Sequence, residues 1–80
     1  MVVVESKTSA ATSTFLKTQQ RVKRSNGSRW QSKDGSLFYE WDSLHGEIEV
    51  YDSKGRHYGV LNADGTPSKK QAIKGRRINV

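Results

Sequence analysis

Apolar and polar residues alternate most clearly over residues 37–51. Leu37, Tyr39 and Trp41 interleave with Phe38, Glu40 and Asp42, which predicts a strand with bulky side chains on both faces. Residues 43–46, Ser-Leu-His-Gly, break that run. Ile48 and Val50 then point one way while Glu47, Glu49 and Tyr51 point the other, the alternation of a half-buried strand. Asp52-Ser53-Lys54-Gly55 reads as a hairpin turn leading into a strand through His57, Tyr58, Val60 and Leu61, and residues 62–66 form the next turn. Upstream, Ser25-Asn26-Gly27-Ser28 and Lys33-Asp34-Gly35-Ser36 are turns that bracket a short strand over residues 29–32. Phe15, Leu16, Gln19 and Val22 lie near helical spacing behind a possible Ser13 or Thr14 cap, so a short helix is expected over residues 14–24. Residues 5–14 are small and polar and read as a linker. Beyond Pro67 the chain is basic, with Ile73, Ile78 and Val80 as anchors for a last edge strand.

This spacing of turns predicts a mainly β fold, a small, strongly twisted antiparallel sheet resembling an open barrel, with a short N-terminal helix. Residues 1–24 are expected to be a linker or N-terminal segment and residues 25–80 the functional domain. With 80 residues, 32% of them hydrophobic, one small core and marginal stability follow. The absence of cysteine removes disulfides and thiolate metal sites, and fits a chain that works in or passes through reducing cytoplasm. No apolar run approaches the ~20 residues of a membrane span. Residues 1–4 are too short for a signal-peptide core, so delivery by a larger parent protein is expected.

Charge is segregated. The net charge of +6 is a balance of −5 over residues 40–52, which hold no lysine or arginine, and +11 over the rest. A basic surface of this kind attracts nucleic acid, anionic lipid or an acidic protein. No basic stretch also presents a sustained apolar helical face, so stable membrane binding by this domain is not expected.

The acidic stretch holds Asp42, His45, Glu47 and Glu49. RNA carries its own nucleophile, the 2′-hydroxyl. A metal-free ribonuclease therefore needs a base for that hydroxyl, an acid for the leaving 5′ oxygen and positive charge for the phosphorane. The carboxylates and the histidine suit the first two roles, and histidine titrates near neutrality. His45, Glu47 and Glu49 share parity. In a flat strand, however, His45 and Glu49 stand ~13 Å apart, so a bend or bulge at Gly46 is required to gather them. Simpler readings stand beside these. Asp42 can merely accept turn hydrogen bonds, and Glu47 can be a supporting charge. Tyr39 and Trp41 can be packing instead of base-stacking platforms, and His57 reads as structural. Arg76 and Arg77 can be an ordinary basic tail, and Lys17, Arg21, Lys23 and Arg24 either a solvated face or phosphate contacts.

Arg29-Trp30, Tyr39-Glu40-Trp41-Asp42-Ser43, His45-Gly46-Glu47 and Glu49, ungapped to Tyr51, resemble the cytotoxic domain of the ribosome-cleaving colicins. The related C-terminal effectors of contact-dependent growth inhibition toxins are similar. The likeness thins through Gly55, His57, Gly59 and the terminal Arg76-Arg77-Ile78, and is not seen before Arg29. It implies a twisted antiparallel sheet and a bacteriocin-type toxin ribonuclease in residues 25–80. The implied target is small-subunit (16S) ribosomal RNA in the decoding centre, cut without a cofactor or metal to leave a 2′,3′-cyclic phosphate. Carried over by position, the catalytic set is Asp42, His45, Glu49 and Arg76, with Arg77 as the alternative to Arg76. Glu49 is the favoured base and His45 the favoured acid, an assignment that can be exchanged. Asp42 would orient His45, and Arg76 would stabilise the transition state. Glu47, Tyr39, Trp41, Arg77, Lys74, Arg29 and Lys33 are expected to support the site or bind RNA.

The expected partners are the ribosome and an acidic cognate immunity protein, with no role for DNA. The domain would be secreted or surface-delivered as the C-terminal part of a larger toxin and act in the cytoplasm of the target bacterium. Ser36, Leu37 and Leu44 depart from the family pattern, as does a tail without extra lysines, and these bear on docking more than on chemistry. Three alternatives remain: a non-catalytic RNA-binding module, a general RNase toxin with another target, and a metal-dependent nuclease.

Overall fold

The computed structural model describes residues 9–24 and 27–80. Five strands, β1 (Gln20–Val22), β2 (Arg29–Gln31), β3 (Leu37–Asp42), β4 (Glu47–Asp52) and β5 (His57–Asn62), form one antiparallel sheet in the order β1-β2-β3-β4-β5. The fold is mainly β, an open antiparallel sheet, as the turn spacing implies. Neighbours in sequence are neighbours in space, and from β2 onward the connections are short turns of the kind that join antiparallel strands.

The expected helix over residues 14–24 does not form. In its place stand a 3₁₀ turn, Leu16–Thr18, and β1, preceded by another 3₁₀ turn, Ala10–Thr12. Sheet pairing overrides the weak helical spacing: Gln20, Arg21 and Val22 pair with Gln31, Trp30 and Arg29, and Arg21 lies over the Trp30 ring. The last edge strand expected around Ile73, Ile78 and Val80 is absent as well. Pairing there is limited to isolated bridges, Arg56 with Arg77 and Leu61 with Pro67. Too few apolar side chains lie along this stretch to hold a sixth strand, and Ile73 and Val80 are exposed. Residues 5–8 of the expected linker and Ser25-Asn26 of the expected turn lie outside the described residues.

Alternation sorts the sheet into two faces. Ile48 and Val50 of β4 and Tyr39 of β3 bury against Leu16, with Trp30, Leu37, Trp41, Leu61, Phe15 and Ala10 packed around them. Full burial stabilises by about 1.5–3 kcal/mol for each large apolar side chain. Phe15 meets Tyr39 edge to face at 5.1 Å. The 3₁₀ segment is fastened there by Ser13, whose hydroxyl donates to the Ala63 carbonyl at 2.7 Å and accepts from the Leu16 amide at 3.1 Å. Core and sheet therefore take in residues on both sides of the boundary expected at Arg24.

Candidate active site

The opposite face of the sheet carries the acidic stretch. Register places Glu40 directly against Glu49 and Asp42 against Glu47, so four carboxylates form a block two residues wide on adjacent strands. Like charges directly opposed destabilise a sheet. Here each carboxylate has its own cation or hydrogen-bonded ring. Arg29 grips Glu40 at 2.9 and 3.0 Å and Arg24 joins at 3.2 Å. Lys70 reaches Glu47 at 2.5 Å, Arg76 reaches Glu49 at 2.8 Å, and His45 reaches Asp42 at 2.6 Å. A local arrangement that conflicts with sheet stability and is then compensated group by group makes this block the candidate site.

The Asp42 end of the block is built by a turn. Asp42 Oδ1 accepts the amides of Leu44 and His45 at 3.1 and 3.2 Å, and the Gly46 amide donates to the Asp42 carbonyl at 2.8 Å. Gly46 adopts φ 64, a conformation that costs a residue with a Cβ and lets the chain reverse at once into β4. His45 therefore sits in the turn, not on the strand, which begins at Glu47. Its Nδ1 meets Asp42 Oδ2 and its side chain is 53% exposed, so the ring is oriented through one nitrogen while much of it faces solvent. Partial burial pushes the Asp42 carboxyl up, but hydrogen bonds from the His45 ring and amide and from the Leu44 amide outweigh it and hold Asp42 below the ordinary carboxylate range. The turn role and the orienting role of Asp42 coexist, one on each oxygen.

Glu49 occupies the middle of the face. Its Oε1 takes the Arg76 guanidinium and its Oε2 lies 3.6 Å from His57 Nε2. His57 Nδ1 accepts the Ile73 amide at 2.8 Å, which in the neutral ring assigns the proton to Nε2, facing Glu49. That nitrogen is buried and has no hydrogen-bond partner within range among the described residues. A bulge puts His57 here: Val50 pairs with Gly59 while Tyr51 pairs with His57, so Tyr58 is passed over and turned outward. Without that extra residue, His57 would share the core face with Gly59 and Leu61. A glycine inside a strand is the sequence signal for such a bulge. Tyr51 packs edge to face on His57 at 5.2 Å, near the Arg76 charge. Burial raises the Tyr51 hydroxyl above its ordinary range, and the Arg76 charge opposes that rise.

The remaining candidates separate. Glu47 is held by Lys70 and, at 2.9 Å, by the Ser68 hydroxyl; these bonds, Lys70 first, outweigh burial and keep its carboxyl low. Arg76, not Arg77, contacts Glu49; Arg77 and Lys74 line a neighbouring cleft. Tyr39 is buried at 4% exposure and Trp41 packs against the same core, on the face away from Glu49, so the Tyr39 ring is closed to base stacking. Arg29 is buried too: beyond Glu40 it donates to the Asn79 carbonyl and pins the C-terminal segment, so its contacts are structural. Lys33 is exposed in the β2–β3 turn, at the end of the sheet away from His45. Lys17, Arg21, Lys23 and Arg24 are exposed along the β1 side.

A family model described as Cytotoxic matches residues 5–79, nearly the whole chain. The chain belongs to the Cytotoxic family. The match agrees with the resemblance in residues 29–51 to the cytotoxic ribonuclease domains of colicins and extends it upstream through β1 and the 3₁₀ segment, where the motif alone showed no likeness. This cytotoxic domain is a toxin domain of the nuclease type. No curated protein matches it.

Proposed function

We propose that this cytotoxic domain is a metal-independent endoribonuclease that cuts small-subunit ribosomal RNA near the decoding centre and stops translation. The observation that carries the reading is the pairing on one face of Asp42 with His45 and of Glu49 with Arg76, at 2.6 and 2.8 Å. Glu49 removes the 2′-hydroxyl proton, and the 2′ oxygen attacks the adjacent phosphorus. The bond to the 5′ oxygen breaks as protonated His45, held by Asp42, donates to it. Arg76 stabilises the charge of the phosphorane, and the products are a 2′,3′-cyclic phosphate and a free 5′-hydroxyl. His45 and Glu49 serve opposite sides of the phosphorus, consistent with one lying in the exposed turn and the other in the strand.

The domain would be delivered as the C-terminal part of a larger secreted or surface-borne toxin and act in the cytoplasm of a target bacterium. Its basic balance suits an acidic immunity protein in the producer, since complementary charge speeds association. The test is incubation of intact bacterial ribosomes with the protein and chelator, beside His45→Ala, followed by mapping of new RNA ends. A single small-subunit cut, absent in the variant, is expected. Scattered cuts would assign a general RNase, and tight binding without any cut would leave an RNA-binding module.

A further inference from the structure

Next to Glu49 lies a cleft of about 350 Å³ whose wall includes His57 and Arg76, which face the two Glu49 oxygens. The cleft is lined by four cations, Arg56, Lys74, Arg76 and Arg77, against one carboxylate, Asp52. That carboxylate is already engaged. Its oxygens accept the amides of Lys54 and Arg56 at 2.9 and 3.0 Å and the Arg56 Nε at 2.8 Å. Arg76 is committed to Glu49. Among the described residues, the side chains of Lys74 and Arg77 make no ion pair, so positive charge in the cleft remains uncompensated. Such a concavity is built for an anion.

Its place on the sheet says which anion. The Asp42–His45 turn lies at the Glu47 end of β4, where Glu47 pairs with Asp42, and Asp52 lies at the other end with Glu49 between them. We propose that this cleft is a phosphate subsite, and that it holds the RNA phosphate one nucleotide to the 5′ side of the scissile one. The inference rests on the ribonuclease reading above with Glu49 as base. The base must face the 2′-hydroxyl, which belongs to the nucleoside 5′ of the cleaved bond, while the acid faces the 3′ nucleoside. A strand running from His45 past Glu49 therefore continues toward its own 5′ end, and the next phosphate it presents meets Arg56, Lys74 and Arg77.

The test is binding of three uncleavable 2′-deoxy dinucleotides: deoxyadenylyl-deoxyadenosine, the same molecule with a 5′-terminal phosphate, and the same molecule with a 3′-terminal phosphate. Each is titrated against the wild type and against the Lys74→Ala/Arg77→Ala double variant. The 5′-phosphorylated form is expected to bind the wild type about ten-fold tighter than the unphosphorylated one. The 3′ phosphate is expected to add less than two-fold. In the double variant the 5′ gain should disappear while the affinity for the unphosphorylated dinucleotide stays the same, which also reports an intact fold. Equal affinities, a gain that survives the substitutions, or a gain confined to the 3′ phosphate would each overturn the assignment. Because no turnover is needed, a 5′ gain in a protein that leaves RNA uncut would sink the catalytic reading, and with it the placing relative to a scissile bond, while keeping the cleft as a phosphate site.

Discussion

The Nε2 of His57 faces Glu49 Oε2 across 3.6 Å while its Nδ1 holds the Ile73 amide, so one buried ring links the central carboxylate to the C-terminal segment that carries Arg76. The two nitrogens can be tested separately. Asn at position 57 can keep an acceptor for the Ile73 amide, but its side chain is too short to set its NH2 where His57 Nε2 faces Glu49, and Leu supplies neither group. His57→Leu is expected to lose about 1–3 kcal/mol of stability because a part-buried amide is left unpaired. His57→Asn should lose less. Cleavage should fall in both, which denaturant unfolding and a cleavage assay on the same samples would compare.

His45→Ala should reduce cleavage by about 10²–10⁴-fold, the usual contribution of a positioned acid or base, while RNA affinity stays within a factor of a few. Asp42→Asn keeps an oxygen for the turn amides but removes the charge that holds the His45 ring. It should therefore cost rate, and at neutral pH also the share of stability that the ionised Asp42 carboxylate supplies. A variant that binds RNA less tightly and cuts at the normal rate would contradict both roles.

Gly55 ties the β4–β5 turn to the C-terminal segment: its carbonyl accepts the Ile78 amide at 2.8 Å, its φ is 81, and a Cβ there would collide with the Ile78 carbonyl. Gly55→Ala is expected to cost at least about 1 kcal/mol from the left-handed backbone alone. It should also lower cleavage, because displacing Ile78 disturbs the segment that carries Arg76. Gly27→Ala, where a Cβ meets open space at φ 61, should strain the backbone without affecting cleavage. Comparing the two variants at matched folded fraction isolates the effect on the site.

Acid should unfold the domain through its carboxylates. Asp42 and Glu47 are held below their ordinary values for the reasons given above, and serine hydrogen bonds, the Ser36 amide first, bring exposed Asp34 down to about 2. A folded-state value below the unfolded one means that the unfolded chain binds more protons in acid. The stabilisation is thus complete above the unfolded values of about 4 and is lost as pH falls toward about 2. Thermal midpoints should be level from neutrality down to about pH 5 and drop below it. Asp42→Asn should flatten the drop, since that position no longer takes up a proton. A midpoint that rises on acidification would reverse the sign and refute the assignment.

Much of the fold was legible in the sequence. β3, β4 and β5 were readable because alternation with period two is a local property, and the turns between them carry their own glycine and aspartate chemistry. Tyr39, Ile48 and Val50 reach the core, and the Asp42–Gly46 turn forms where its residue types called for it. The helix expected over residues 14–24 does not form, for the complementary reason. Its spacing signal was weak, and pairing of Gln20–Val22 with Arg29–Gln31 depends on chain segments that a short window does not contain.

Charge segregation, the antiparallel sheet implied by successive short turns and the set of titratable residues are written in the local sequence. Tertiary structure alone decided their arrangement. Cross-strand register set Glu40 against Glu49 and Asp42 against Glu47, and the passage of β5 over Tyr58 turned His57 from the core face to Glu49. The path of residues 69–80, which have little regular structure, set Arg76 rather than Arg77 on the carboxylate. Periodicity reports which side of its own strand a residue takes. Register, bulges and returning segments depend on contacts between residues distant in sequence, and those contacts bring Asp42, Glu49 and Arg76 together.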